Sequence, residues 1–228
     1  MFRISNFPML REAEEANNLS PEELEQAACS PVPVDPSRFN QNAKFPYGCT
    51  IQAVQKSMQA FVEFLGFLNT QLRTRDLPRI EMLMMPANFS SLVGEFIVSS
   101  IPKHCSGLVK NRFHNGHPDL IPKSHYPKDL ILHGSEGIEV KASRYSGAWQ
   151  GHNAEDCWLM VFVFQVNSSS AHDAEPVCFK FRSAYLAKLE KADWKFAGRS
   201  ETSRRTITAS VTKAGELKLH RNWIYQAQ

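Results

Sequence analysis

The sequence lacks several features that define common protein classes. Its longest strongly apolar run, residues 158–166, is less than half the length of a membrane-spanning helix. Residues 1–15 lack the basic-then-apolar order of a secretion signal. The GxSxG, GxxxxGKS/T and GxGxxG patterns are also missing. Serine hydrolases, P-loop NTPases and dinucleotide-binding folds therefore have no support, and we expect no membrane partner.

Paired cysteines are missing as well. The 228 residues contain five cysteines, an odd number with no CxxC pair. This pattern favours reduced thiols over a disulfide scaffold and predicts a cytoplasmic location. One region is rich in potential zinc ligands, but their spacing matches no common zinc pattern, so we predict no structural zinc there. These residues are His104, Cys105, His114, His117 and His125.

Net charge is small overall but unevenly distributed. The formal charge is +3, yet residues 1–30 carry six acids against two bases, and residues 180–228 carry eleven Lys or Arg against four acids. A basic C-terminal part can attract a polyanion, of which nucleic acid is the commonest. The alternative is a solvated surface that happens to be basic, and charge alone does not separate the two.

Local signals predict an N-terminal arm or cap over residues 1–47 and a single domain over residues 48–228. In the arm, Ser20, Pro21 and Glu23 predict a capped helix start. Two longer helices are predicted over residues 50–75 and 88–101, where apolar residues recur at steps of three and four. We interpret the first as a core helix, with a dimer seam as the alternative.

From residue 119 onward the apolar periods shorten, which predicts strands. Residues 130–132 and 138–142 are predicted to form a β-hairpin, and residues 158–166 a strand buried on both faces. A strand over 177–182, a short helix over 185–191 and a final hairpin over 206–211 and 216–220 complete the prediction. Helices followed mostly by strands indicate an α/β or α+β fold on a mixed β-sheet.

The strongest chemical pattern joins Asp119, which follows a proline, to Glu139 and Lys141 twenty residues later. Alternation along a strand places Glu139 and Lys141 on one face and turns Val140 toward the core. A hairpin would bring Asp119 to the same place. Two carboxylates favour Mg²⁺, and the lysine can position or deprotonate a water or stabilise a phosphate charge. This set suits metal-assisted phosphodiester hydrolysis.

The Pro-Asp and Glu-Val-Lys pattern resembles the PD-(D/E)xK motif of restriction endonucleases and repair nucleases, over about residues 89–166. The resemblance implies a restriction-endonuclease-like mixed β-sheet flanked by helices. It also implies Mg²⁺, with Mn²⁺ as a possible substitute, held by Asp119 and Glu139, and Lys141 as the catalytic lysine. Many members carry a further glutamate on the preceding helix, and Glu95 is the matching position.

Each of these assignments has an alternative. Asp129 also precedes a predicted strand, ten residues before Glu139, although the Pro-Asp dipeptide favours Asp119. If Asp129 is the ligand, Asp119 would be a turn residue. Glu-Val-Lys is also a common cross-strand charge pair on edge strands. Glu95 lies near the border of the apolar arc of its helix, where a glutamate is often only solvated.

The segment after the motif, residues 143–153, has an unusual composition for a core. Aromatic, Arg, Gln, His and Asn side chains among glycines are typical of a surface that contacts ligands. A structured surface loop is the alternative. The predicted substrate-binding residues are Arg144, Trp149, Gln150, His152 and Asn153.

Together these patterns predict a Mg²⁺-dependent DNA endonuclease of the type II restriction kind, which acts on double-stranded DNA. A chain of this size with one catalytic site, cutting both strands, would most simply act as a homodimer. Two alternatives remain: a structure-selective repair or mobile-element nuclease, and a catalytically inactive DNA-binding module on the same fold.

Overall fold

The computed structural model describes residues 19–113, 115–151, 153–169, 175–196 and 208–227. Within these ranges, no helix is long and apolar enough to cross a membrane. The α-helices of the described residues are α1 (Pro21–Ala28), α2 (Ile51–Arg73), α3 (Ile80–Leu83), α4 (Pro86–Ser100) and α5 (Lys213–Arg221).

The strands form two sheets. They are β1 (Leu108–Lys110), β2 (Leu120–Pro122), β3 (Ile138–Ser143), β4 (Gln150–Gly151), β5 (Cys157–Gln165), β6 (Lys180–Leu189), β7 (Trp194–Phe196), β8 (Ala209–Val211) and β9 (Trp223–Gln226). The main sheet has the order β1-β2-β3-β5-β6-β9, and a small sheet has the order β4-β8-β7. Only β3 and β5 pair in parallel among the described strands. The predicted α/β fold on a mixed sheet is therefore confirmed.

The first two helices begin where their capping residues predict. The Ser20 side chain accepts a hydrogen bond from the Glu23 backbone, and the Glu23 carboxylate accepts one from the Ser20 amide at 2.8 Å. Thr50 caps α2 by accepting from the Ala53 amide at 3.2 Å. The apolar stripe of α2 packs inside the same chain, where Phe61 is fully buried, in agreement with a core helix. By contrast, α4 starts two residues earlier than predicted, because a proline fits the first turn.

Two predicted pairings are wrong. The antiparallel partner of β3 is β2, through the pair Leu120↔Ile138, and residues 130–132 do not form a strand. Leu120 is fully buried whereas Leu132 is 56% exposed. Pairing of the segment that contains Leu120 therefore removes more apolar surface from water. The final hairpin is replaced by β8 and α5, and residues 206–207 lie outside the described ones.

The helix predicted over 185–191 is also wrong, because these residues belong largely to β6. Ala184 and Leu186 face one core, while Tyr185 and Ala187 face the other, so alternation rather than helical periodicity governs their burial. In α5, Thr212 caps the helix at Gly215, and Leu219 is buried one turn later. The strand predicted over 177–182 exists but starts at Lys180.

Strand β5 is buried on both faces, as predicted for residues 158–166. Along β5, Met160 and Phe162 lie in a large core with α2 and α4. Leu159 and Val161 lie in a second core formed with the small sheet and α5. Residues 30–47 of the predicted arm pack onto the large core, since Val32 donates its amide to Phe179 O at 2.8 Å.

A buried ionic network ties α1 to the sheet. The Arg79 side chain is 2% exposed and donates to Glu25 at 2.8 Å, to Glu81 at 2.7 Å and to Asn167 Oδ1 at 2.9 Å. The Glu81 side chain is fully buried and also accepts from Asn69 at 3.0 Å. The network connects α1, α2, α3 and the segment after β5. Each buried charge in it has a partner, so none is left unpaired.

Candidate active site

A large cleft opens between α4 and the part of the main sheet formed by β1–β3 and the start of β5. Its volume is about 1220 Å³, and its walls come from α4, the β1–β3 region, the start of β5 and Trp194 of the small sheet. Asp119, Glu139 and Lys141 all line it. The three residues singled out by the motif therefore share one cavity.

Strand register explains why these side chains meet. Leu120 pairs with Ile138, so the antiparallel register places Asp119 opposite Glu139. The Val140 amide donates to Asp119 Oδ2 at 2.8 Å, which fixes the carboxylate at the start of β2. The Val140 side chain is buried in the large core while Glu139 and Lys141 face the cleft. The predicted alternation along β3 is confirmed.

The two carboxylates have opposite electrostatic environments. Burial and the nearby negative charge of Glu139 raise the pKa of Asp119 to about 7. Burial acts to raise the pKa of Glu139 too, but the hydrogen bond from His117 and the positive charge of Lys141 lower it to about 2. Glu139 is therefore ionised at neutral pH, while Asp119 is close to its midpoint.

Lys141 stays cationic in this environment. Its Nζ donates to Glu139 Oε1, and its side chain is 27% exposed. Burial acts to lower the pKa of Lys141, but the charges of Glu139 and Asp119 outweigh it and the pKa is raised. The lysine therefore offers a positive charge and N–H donors to a ligand in the cleft, rather than a free base.

Glu95 lies at the rim of the same cleft. Its side chain is 66% exposed, and its carboxylate pairs with Lys110 Nζ at 2.7 Å. Lys110 also donates to Ser99 Oγ at 3.2 Å. The negative charge of Glu95 contributes to the raised pKa of Asp119. The glutamate thus faces the cleft, but it is engaged by a lysine and solvated.

Asp129, the alternative to Asp119, has a different role. Its carboxylate accepts a hydrogen bond from the Ser124 amide within the 123–137 loop, and it is the last residue of the short 3₁₀ turn that begins at Pro127. Among the described residues that line the cleft, Asp119 is present and Asp129 is not. The geometry therefore groups Asp119 with Glu139 and Lys141.

The predicted substrate-binding segment divides into buried and exposed parts. Trp149 is 4% exposed, packs against Tyr185 in the second core and against the exposed His220, and donates from Nε1 to Tyr145 O at 3.0 Å. Its large apolar ring is thus a packing element of this core, and the predicted substrate contact stays a prediction.

The other members of this segment lie nearer the surface. Asn153 is exposed and lines the cleft, with Gly151 beside it. Gln150 is exposed in β4, and Arg144 is half-buried after β3. Of the described residues in this segment, neither Arg144 nor Gln150 lines the cleft. His152 lies outside the described residues.

The site also includes three residues that the sequence analysis did not assign to it. His117 lies between two carboxylates, with Nδ1 2.9 Å from Glu139 Oε2 and Nε2 2.7 Å from Glu155 Oε2. Cys157 is 2% exposed and begins β5. The parallel pair Ile138↔Trp158 places the start of β5 beside the start of β3. Only this long-range pairing brings Glu155 and Cys157 to the motif, although an acid two residues before the buried strand is a visible signal.

The donor set at Asp119 and Glu139 fits Mg²⁺. Two facing carboxylates repel each other, which is part of the reason that the pKa of Asp119 is raised. A divalent cation with oxygen ligands would neutralise that repulsion, and carboxylate oxygens are the ligands that Mg²⁺ prefers. The residues present therefore suit the ion that the motif implies.

No protein-family model matches the sequence, and no curated protein or solved structure matches the chain.

Proposed function

We propose that this protein is a Mg²⁺-dependent DNA endonuclease with a restriction-endonuclease-like fold. The observation that carries the proposal is the placement of Asp119 opposite Glu139, with Lys141 on the same face of β3 and all three in one cleft. The order of elements adds support, because α4 with Glu95 precedes the β2–β3 pair and the apolar strand β5 follows it.

In this proposal, Asp119 and Glu139 hold Mg²⁺, and Mn²⁺ can replace it. When bound, Mg²⁺ supplies Lewis-acid charge and lowers the pKa of a coordinated water, the nucleophile in phosphodiester hydrolysis. The Val140 amide holds Asp119 in place through its 2.8 Å hydrogen bond, and His117 holds Glu139 at 2.9 Å. Both carboxylates are thereby oriented before any ligand arrives.

Lys141 is proposed to stabilise the negative charge that develops on the phosphate. Its raised pKa keeps the ammonium charged at neutral pH, which favours this role over that of a general base. Asp119 must be ionised to bind a cation, and its pKa of about 7 means that it is mostly ionised only above about pH 7. Activity should therefore rise as the pH increases from about 6 to 8.

The substrate is proposed to be double-stranded DNA. The cleft walls carry Lys110 and Arg112 near the rim, where they can contact phosphates, but the carboxylates deeper in the cleft oppose a polyanion. Metal loading would reverse the local charge, so tight DNA binding is expected to require the cation. Cleavage of both strands as a restriction-type enzyme would use two copies of the chain.

The test is a digest of plasmid and genomic DNA with Mg²⁺ or with EDTA. We expect discrete Mg²⁺-dependent fragments, and Lys141→Met should slow cleavage by about 10²–10³-fold. Lys188→Met is the matched control, because Lys188 is an exposed lysine of β6 on the same sheet. It should retain full activity.

Other outcomes distinguish the alternatives. A smear or a nicking pattern that depends on Mg²⁺ and Lys141 would indicate a structure-selective repair or mobile-element nuclease. DNA binding without cleavage of any substrate would refute the enzyme and leave a binding module. Cleavage that persists in both Lys141→Met and Glu139→Gln would place the chemistry elsewhere.

A further inference from the structure

A second cluster of metal-binding groups lies beside the carboxylates of the motif. His117, Glu155 and Cys157 each offer one ligand atom, and these three atoms lie within 4.8 Å of one another. They come from three places in the fold: the turn before β2, the segment before β5 and the first residue of β5. None of the three belongs to the proposed Mg²⁺ pair.

The distances suit a tetrahedral ion after small side-chain movements. Ligand atoms around tetrahedral Zn²⁺ are about 3–4 Å apart, as follows from metal–ligand distances of about 2.0–2.3 Å. His117 Nε2 and Glu155 Oε2 are 2.7 Å apart, so they must separate slightly. Cys157 Sγ lies at most 4.8 Å from the other two ligand atoms, so it must move toward them by no more than about 2 Å. Rotation of the Glu155 and His117 side chains, each 17% exposed, can supply this.

The chemistry of the ligand atoms selects the ion. Imidazole nitrogen, thiolate sulfur and carboxylate oxygen together favour Zn²⁺ and similar transition-metal ions over Mg²⁺, which prefers oxygen alone. A thiolate and a carboxylate also balance the charge of a divalent ion. On binding, the Cys157 proton and the proton between His117 and Glu155 would pass to solvent.

A second shell is already in place for His117. Its Nδ1 is 2.9 Å from Glu139 Oε2, which orients Nε2 toward Glu155. Histidine ligands of zinc commonly donate their other ring N–H to a carboxylate in this way. Glu139 would thus serve both sites, as a ligand of Mg²⁺ and as the partner that orients His117.

We infer that His117, Glu155 and Cys157 form a transition-metal site of the Zn²⁺ class, adjacent to the proposed Mg²⁺ pair and distinct from it. The three ligands line the cleft, so an ion held by them would have room for a fourth ligand on the cleft side. Three protein ligands with an open fourth position are typical of catalytic rather than purely structural zinc. The inference does not depend on the nuclease proposal.

The test is a Co²⁺ titration of the purified, chelator-treated full chain without DNA. We expect one equivalent of Co²⁺ to produce a near-ultraviolet thiolate-to-cobalt absorption, and Zn²⁺ to displace it. Cys157→Ser should abolish this absorption. Cys105→Ser is the matched control, since Cys105 is also buried but donates to Gly48 O at 3.4 Å, remote from the cleft residues. It should leave the absorption unchanged.

Two further variants separate the two metal sites. Asp119→Asn alters the proposed Mg²⁺ pair but none of the three ligands, and it should retain the cobalt absorption. Glu139→Gln weakens the partner of His117 and should reduce Co²⁺ affinity by about 10–100-fold. Circular dichroism checks that each variant is folded. A folded wild type without the absorption, or an absorption that persists in Cys157→Ser, would overturn the inference whatever the outcome of the DNA digest.

Discussion

Replacing Asp119 with asparagine is expected to stabilise the metal-free protein at pH 8 while abolishing Mg²⁺-dependent cleavage. The pKa of this carboxyl is raised to about 7 by burial and by the charge of Glu139. Because the folded pKa lies above the unfolded one, the native state holds a proton that the unfolded chain releases. This contribution to stability is complete at low pH and is lost as the pH rises through about 7.

The magnitude follows from the same shift. The difference between a pKa of about 7 and the ordinary value of 3.8 corresponds to a cost of about 4 kcal/mol at pH 8 for the ionised wild type. Asparagine keeps an oxygen that can accept from the Val140 amide but carries no charge. Since Asp119 is partly open to the cleft, we expect a gain of about 1–4 kcal/mol at pH 8 and almost none at pH 4.

Urea unfolding in EDTA at both pH values measures the effect. Asp129→Asn is the matched control, because its carboxylate accepts from the Ser124 amide and does not line the cleft. Because asparagine keeps an oxygen that can accept this hydrogen bond, the free energy of unfolding should change by no more than about 0.5 kcal/mol at either pH. Adding Mg²⁺ at pH 8 should stabilise the wild type and not Asp119→Asn. If Asp119→Asn is no more stable than the wild type at pH 8, the electrostatic account of the site is refuted.

Two further pairs of substitutions test the buried network and the second core. Arg79→Met should lower the free energy of unfolding by about 3–5 kcal/mol, since it leaves the fully buried Glu81 without its cation. Arg73→Met, which removes an exposed pair, should cost less than about 1 kcal/mol in the same urea assay. Trp149→Ala should cost about 3–5 kcal/mol as a core truncation, whereas Gln150→Ala should change stability by no more than about 0.5 kcal/mol. Equal costs within either pair would contradict the burial argument.

Signals that act over a few residues predicted much of the fold. The caps at Ser20 and Thr50 begin α1 and α2 as expected, because a cap needs only the next three residues. The alternation of Glu139, Val140 and Lys141 about β3 was also predictable, since it is a property of any strand. The apolar run that forms β5 is equally local.

Long-range pairing was not predictable from these signals. Glu155 and Cys157 reach the site only because β5 runs parallel beside β3, and no local pattern specifies that neighbour. The region around Tyr185 fits a helix by composition, yet its burial alternates between two cores. Trp149 resembled a ligand-contacting residue in sequence, and only the packing of the small sheet shows that it is enclosed.

The loop between β2 and β3 has a consequence for how such a site can vary. Asp119 and Glu139 face each other through a register set by Leu120 and Ile138, while residues 123–137 form the long connection between the strands. Insertions or deletions in that connection would leave the two carboxylates opposed, whereas a slip of one residue within β3 would turn Val140 into the cleft and bury the charges. The number of residues between the two acids is therefore a weak criterion when related sites are searched for. The constraint that should persist is the two-residue spacing of Glu-x-Lys, because it keeps both charged side chains on the strand face opposite the core.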